Sequence, residues 1–390
     1  MARIRQREGR GWRSRGAATR LLALPVLVLL GLQFVPLAAA HDGTTHAGTP
    51  HWLLLAVVLV GLGLTAWTVI VLRRTNASRR ASVLGLLSGL ALSTFGIIGL
   101  VEVQLEATTD PSTTLLLLHP VASYAIGFGV VLGSQIVTLR YWPGRPRYSV
   151  LGALLGAWIL YPVLMPNGGI THPMGYGLVL ALPLTVGYVL WRDAGTAIRA
   201  LLADRFTAGV AGVATLAIWI FLSFSAGTLT LVPETTGVPD EPFLVSIGVA
   251  DPLVLWPALE LYLPSIPLFA MISVGTILLF GTLSTLLGIN VALVARELRD
   301  QEGSLSPGFL LGTVSTTGAT ACGCCAPAMY GVLSATLGAS ATPIYWSFMD
   351  TSSPLSATFL AASVLLLVGS VVRSAATTEQ RPPTPAAVED

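Results

Sequence analysis

The sequence predicts an all-α fold, a polytopic bundle of about nine transmembrane helices behind an N-terminal signal segment, and three observations predict it. The 390 residues are 53% hydrophobic and only 10% charged, with a mean hydropathy of +0.76; a soluble domain carries about 25% charged residues. A water-soluble fold of this composition has too little polar surface to cover itself. Apolar stretches of bilayer length recur along the chain, separated by short joints. The arginines after residue 20 then fall in one set of alternate joints and are absent from the other, as they do when those joints lie on opposite sides of a membrane.

Residues 1–40 open with Arg3, Arg5, Arg7, Arg10, Arg13, Arg15 and Arg20, continue through an apolar run from Leu21 to Leu37, and end in Ala38-Ala39-Ala40. A charged start, an apolar centre and small residues at the end make a secretory signal, expected to be cleaved after Ala40. The alternative is an uncleaved first helix. Residues 41–51 follow as a short histidine-containing segment, 52–373 as the membrane domain, and 374–390 as a polar, proline-bearing tail expected to be disordered.

Within the membrane domain the apolar segments fall at 52–72, 83–104, 114–139, 149–165, 174–191, 207–232, 266–295, 307–338 and 354–372. A bilayer core about 30 Å thick needs roughly 20 apolar residues per helix, and in lipid only helices and closed barrels satisfy their own backbone. The eighth segment is expected to break in its middle, where Pro327 follows a run of small residues. The joint at 233–264 is the longest and carries Phe243, Trp256 and Tyr262 between prolines. Aromatic side chains of that kind belong at the membrane interface, so it reads as an interfacial segment.

Every basic side chain is an arginine. Arg73, Arg74, Arg79, Arg80, Arg140, Arg145, Arg147, Arg192, Arg199, Arg205, Arg296, Arg299, Arg373 and Arg381 all fall in one set of alternate joints. The other set carries Glu106, Asp110, Glu234, Asp240, Glu241, Asp251, Glu260 and Asp350. The positive-inside rule then puts the arginine joints and the C-terminus in the cytoplasm, the mature N-terminus outside, and the protein in the cell membrane. The charge pattern reports topology and gives no support to nucleic-acid binding.

All five histidines, His41, His46, His51, His119 and His172, fall on the outer side of this arrangement. Imidazole is the commonest nitrogen ligand of copper and zinc. Cleavage after Ala40 would let His41 offer both its α-amino and imidazole nitrogens to one copper ion, the arrangement called a histidine brace. The three cysteines, Cys322, Cys324 and Cys325, lie together in the eighth segment within Thr320-Ala321-Cys322-Gly323-Cys324-Cys325-Ala326-Pro327. The Cys322–Cys325 spacing puts two thiols on one helical turn, which suits a soft cation such as Cu(I) or a reversible disulfide. Glu102, at the outer end of the second segment, is a carboxylate close to lipid and joins the candidate ligands.

These residues predict a metal-handling membrane protein, with copper as the expected ion, outer histidines capturing it and the cysteine cluster holding it within the membrane. Two other readings stay open: a thiol-disulfide, electron-transfer or copper-oxygenase component, and a non-catalytic subunit of a larger membrane complex. No G-x-x-x-x-G-K-[ST] loop occurs, and no nucleotide is expected. The expected partners are the lipid bilayer, a metal ion and other membrane subunits.

Overall fold

The computed structural model describes residues 51–74, 79–103, 113–165, 169–231, 241–266, 268–300, 347 and 353–379. Among them are eight long helices: α1 (His51–Arg74), α2 (Arg79–Val103), α3 (Thr113–Tyr141), α4 (Pro146–Leu164), α5 (Pro173–Ala203), α6 (Arg205–Ser225), α7 (Val274–Asp300) and α8 (Pro354–Glu379). Six of these, α3 to α8, are long and apolar enough to cross a membrane; α1 and α2 contain shorter apolar stretches, Leu53–Thr68 and Ala91–Leu100. The helical membrane architecture therefore stands, with six spans rather than nine among the described residues. The predicted eighth segment and its break lie outside them.

Between α6 and α7 the chain forms an antiparallel sheet: β1 (Leu229–Leu231), β2 (Phe243–Ala250), β3 (Leu255–Leu263) and β4 (Leu268–Ser273), in the order β1-β4-β3-β2. The long joint expected at the interface thus contains a sheet, which adds strands to a chain read as all helix. Pro257 was the misleading residue, because proline argues against a central strand. It is tolerated because the β3–β4 ladder stops at Ala258↔Ser273, leaving Pro257 paired only with Gly248 of β2. The end of the sixth apolar segment and the start of the seventh contain the strands β1 (Leu229–Leu231) and β4 (Leu268–Ser273); apolar length alone does not separate a strand from a helix end.

Local chemistry fixes the element boundaries. Helix α6 stops at a glycine C-cap, with Gly227 at φ +70°, the Gly227 N–H donating to Phe224 and the Thr228 N–H to Ser223. Helix α7 starts on a reciprocal cap, in which the Thr276 N–H donates to Ser273 Oγ at 3.0 Å and the Ser273 N–H to Thr276 Oγ1 at 3.1 Å. Helices α4, α5 and α8 begin with Pro146, Pro173 and Pro354, where the missing N–H costs nothing. The predicted joint around Arg192 and Arg199 is instead the last turns of α5, which runs on to Ala203 before a one-residue step at Asp204. Helix α8 likewise continues past Arg373 to Glu379, into what was expected to be tail.

Neighbouring helices pair through seams of small residues, since in lipid close van der Waals contact replaces the hydrophobic drive between helices. A Cβ added to Gly61 of α1 would lie 2.5 Å from the Ser93 nitrogen of α2. One on Gly156 of α4 would lie 2.8 Å from the Gly127 carbonyl of α3, and one on Gly288 of α7 2.8 Å from the Ala211 carbonyl of α6. Helices α4, α5, α7 and α8 share the main core, built on Leu155, Ile159, Val189, Leu283, Leu286, Val364 and Leu367. A gap of about 10 Å³, room for one water, lies among Trp158, Leu182, Leu283 and Val364. Leu182, Leu283 and Val364 each fall roughly three turns into their helices, so α5, α7 and α8 run the same way through the bundle.

Candidate functional site

The helix directions give the bundle two ends. At one, the arginine end, Arg147 at the start of α4 makes a two-pronged ion pair with Asp193 of α5, its Nε donating to Oδ2 at 2.6 Å, and the Tyr148 hydroxyl donates to the same oxygen at 2.8 Å. Arg299 of α7 pairs with Asp204 at 2.6 Å. Asp204 also caps α6 by accepting from the Phe206 N–H, and the Arg299 guanidinium and these hydrogen bonds hold its carboxyl below the usual range despite opposing desolvation. The carboxylates of Asp193 and Asp204 are thus both paired with an arginine at this end.

At the other, the sheet end, the turn joining β2 to β3 is wedged into the helix ends. Leu253, Val254 and Trp256 belong to the main core. Val254 abuts Gly175 of α5, where an added Cβ would also lie 2.5 Å from the Tyr161 hydroxyl. The Tyr176 hydroxyl donates to the Leu255 carbonyl at 2.6 Å, and its ring meets Trp256 edge-on at 4.9 Å. On the far side, a Cβ on Gly275 in the first turn of α7 would lie 2.6 Å from both Pro252 Cδ and Trp256 Cδ1, and would collide with the Asp251 carbonyl. The turn is thus clasped by α4, α5 and α7 together.

The polar groups of this clasp are not all satisfied. Among the described residues, Trp256 Nε1 and, at the last residue of α6, Ser225 Oγ are buried without a hydrogen-bond partner. The Asp251 main-chain N–H donates to Val249 and Val254, but among the described residues its carboxylate has no hydrogen-bond or ionic partner. Burial among apolar groups pushes its pKa up to about 6. Sequence reasoning placed Asp251 among the outer acids without singling it out. The available signal was an acid immediately before Pro252-Leu253-Val254, an apolar run with nothing basic near it.

Of the predicted ligands, His119 and His172 are fully described. His172 is the N-cap of α5, and its Nδ1 accepts the Met174 N–H at 3.2 Å. His119 lies in the second turn of α3, half-buried, in the sheet-end half of the bundle. His51 begins α1 and Glu102 lies near the end of α2, with only their backbones described. His41, His46, Cys322, Cys324 and Cys325 lie outside the described residues. Among the described residues no three His, Cys, Asp or Glu side chains come together as a metal site. Comparison of the chain with protein-family models, with curated proteins and with solved structures found no match.

Proposed function

We propose that this integral membrane protein handles a soft metal ion, with copper the preferred candidate, and that Cys322, Cys324 and Cys325 are its intramembrane ligands. The observation that carries the reading is the direction of two helices. Helix α7 finishes at the arginine end and α8 begins at the sheet end, so residues 301–353 join opposite ends of the bundle, and they contain every cysteine of the chain. Thiolates at membrane depth suit Cu(I) better than hard cations. The excess of arginine supports a cytoplasmic arginine end in the cell membrane, and in that orientation His41, His46, His51 and His119 belong to the side from which the ion arrives.

Elemental analysis of the purified protein tests this directly. About one copper per chain is expected, falling to background in Cys322→Ser/Cys325→Ser with the helical content unchanged. A wild-type protein that stays metal-free after incubation with Cu(I) defeats the proposal. A second reading, a non-catalytic subunit of a membrane complex, is favoured by the outward face of the sheet, where Leu244, Leu259 and Ile272 are each more than half exposed. Recovery of a metal-free chain in a defined complex after mild solubilisation supports that alternative.

A further inference from the structure

We propose that the joint between α3 and α4 is a headgroup site for an anionic phospholipid, held by Arg140 and Arg145 in the leaflet at the arginine end. The inference stands apart from the metal reading and rests on a local imbalance of charge. Between Thr113 and Ala203 the chain carries five arginines, Arg140, Arg145, Arg147, Arg192 and Arg199, and one acid, Asp193. That acid is taken, since Arg147 grips it with two nitrogens and the Tyr148 hydroxyl donates to the same carboxylate. Arg199 donates to the Gly195 carbonyl at 3.2 Å and lies over the Trp191 ring. Among the described residues Arg140, Arg145 and Arg192 have no acid partner, and all three are exposed.

The joint that presents Arg140 and Arg145 is fixed in place. Gln135 Nε2 donates to the Ser149 carbonyl at 3.3 Å, tying the last turns of α3 to the first turn of α4. The Arg145 N–H donates to the Trp142 carbonyl at 2.9 Å and closes a turn over Pro143 and Gly144. The Trp142 ring packs against that of Tyr148 at 5.3 Å, and Tyr148 is itself anchored on Asp193. Two arginines on so firm a base lose less freedom on binding than they would on a loose loop. The Arg140 guanidinium lies 5.9 Å from the centre of the Tyr141 ring, with its N–H groups unspent on any acid.

The surroundings select a lipid over other anions. Leu132, Ile136 and Leu139 share one face of α3 at i, i+4, i+7 spacing, and all are exposed on a helix long and apolar enough to cross the membrane. Arg140 follows Ile136 by one turn on that side, so the stripe that meets acyl chains leads to an unmatched guanidinium. Tyr141, Trp142 and, on α5, Trp191 are exposed at the same end, where amphipathic rings settle at headgroup level. A free phosphate finds the arginines but has no use for the stripe. An anionic phospholipid engages both, its phosphate on guanidinium donors and its chains on the apolar face.

Native mass spectrometry of the full-length protein in detergent micelles, titrated with phosphatidylglycerol or with phosphatidylcholine of the same acyl chains, tests the site. The wild type is expected to hold one phosphatidylglycerol on the order of 30-fold more tightly than phosphatidylcholine. Arg140→Gln/Arg145→Gln is expected to lose that preference with helical content unchanged. Arg205→Gln/Arg373→Gln, which removes two exposed arginines from elsewhere at the same end, is expected to keep it, and excess inorganic phosphate to leave the lipid bound. Equal affinity for the two lipids in the wild type, an undiminished preference in Arg140→Gln/Arg145→Gln, an equal loss in Arg205→Gln/Arg373→Gln, or displacement by inorganic phosphate overturns the proposal. Should Arg140→Gln/Arg145→Gln fail to fold, Arg145→Gln alone decides instead: its preference is expected to fall on the order of 5-fold, and an unchanged preference overturns the proposal.

Discussion

The two ends of the bundle solve the same problem in opposite ways. At the arginine end, two carboxylates are each met by an arginine: Asp193 accepts from Arg147 and the Tyr148 hydroxyl within the helix packing, and the more exposed Asp204 is both helix cap and counter-ion to Arg299. At the sheet end, apolar packing dominates, and among the described residues two polar groups caught in it, Trp256 Nε1 and Ser225 Oγ, go without partners. A matched network is rigid, because removing any member strands the others. An apolar clasp with stranded polar groups is looser and holds a reserve that a proton, a water or a ligand can draw on. The difference makes the arginine end the structural anchor and the sheet end the place to look for response.

Substitutions test that contrast. The largest effect is expected from Arg147→Ala, which leaves the Asp193 carboxylate in a site where its side chain is only 7% exposed. Losing one partner of such a pair costs about 3 kcal/mol. The double variant Arg147→Met/Asp193→Leu should recover most of it, because the cost lies in the uncompensated charge. Equilibrium unfolding in mixed micelles measures both, and a double variant no better than the single one would show that the ion pair itself is favourable. Next comes Gly175→Ala at the sheet end. The new methyl group meets Val254 and the Tyr161 hydroxyl, and such overpacking costs about 2 kcal/mol. Its signature is regional: exchange protection should fall across β2 and β3 while the arginine end is unchanged. A uniform loss of protection would mean the two ends are one cooperative unit.

Much of this arrangement was legible in the sequence, and the failures have specific causes. Composition and apolar length announced helices in a membrane, and the apolar segments starting at 149, 174 and 354 lie within a turn of the starts of α4, α5 and α8. The described arginines gather at one end wherever helix directions are fixed: at the α3–α4 and α5–α6 joints, and at the C-terminal ends of α7 and α8, which run the same way. The sheet was hidden because β2 is nearly all apolar and β3 contains Pro257; neither shows the polar alternation of a half-exposed strand. The end of α5 was misplaced because hydropathy follows the bilayer, whereas a helix can continue beyond it on polar residues such as Arg192, Asp193 and Arg199. Of the candidate site, the His172 N-cap was foreseeable from His-Pro at a helix start. The clasp around Asp251 was not, since Gly175, Tyr161 and Gly275 are brought to it from distant stretches of chain.

The smallest predicted effect discriminates best between a packed clasp and a hydrogen-bonded one. Tyr176 contributes to the sheet end in two ways, through a ring set edge-on against Trp256 and through a hydroxyl that donates to the Leu255 carbonyl. Tyr176→Phe keeps the first and removes the second, so it should cost about 1 kcal/mol, the net worth of a neutral hydrogen bond. Tyr176→Ala loses ring contact and buried area as well, and should cost about 3 kcal/mol. If Tyr176→Phe instead costs as much as Tyr176→Ala, the hydroxyl is the main tether of the turn. The sheet end would then be held by polar contacts after all, like the arginine end, and its contrast with that end would shrink to the single unpaired carboxyl of Asp251.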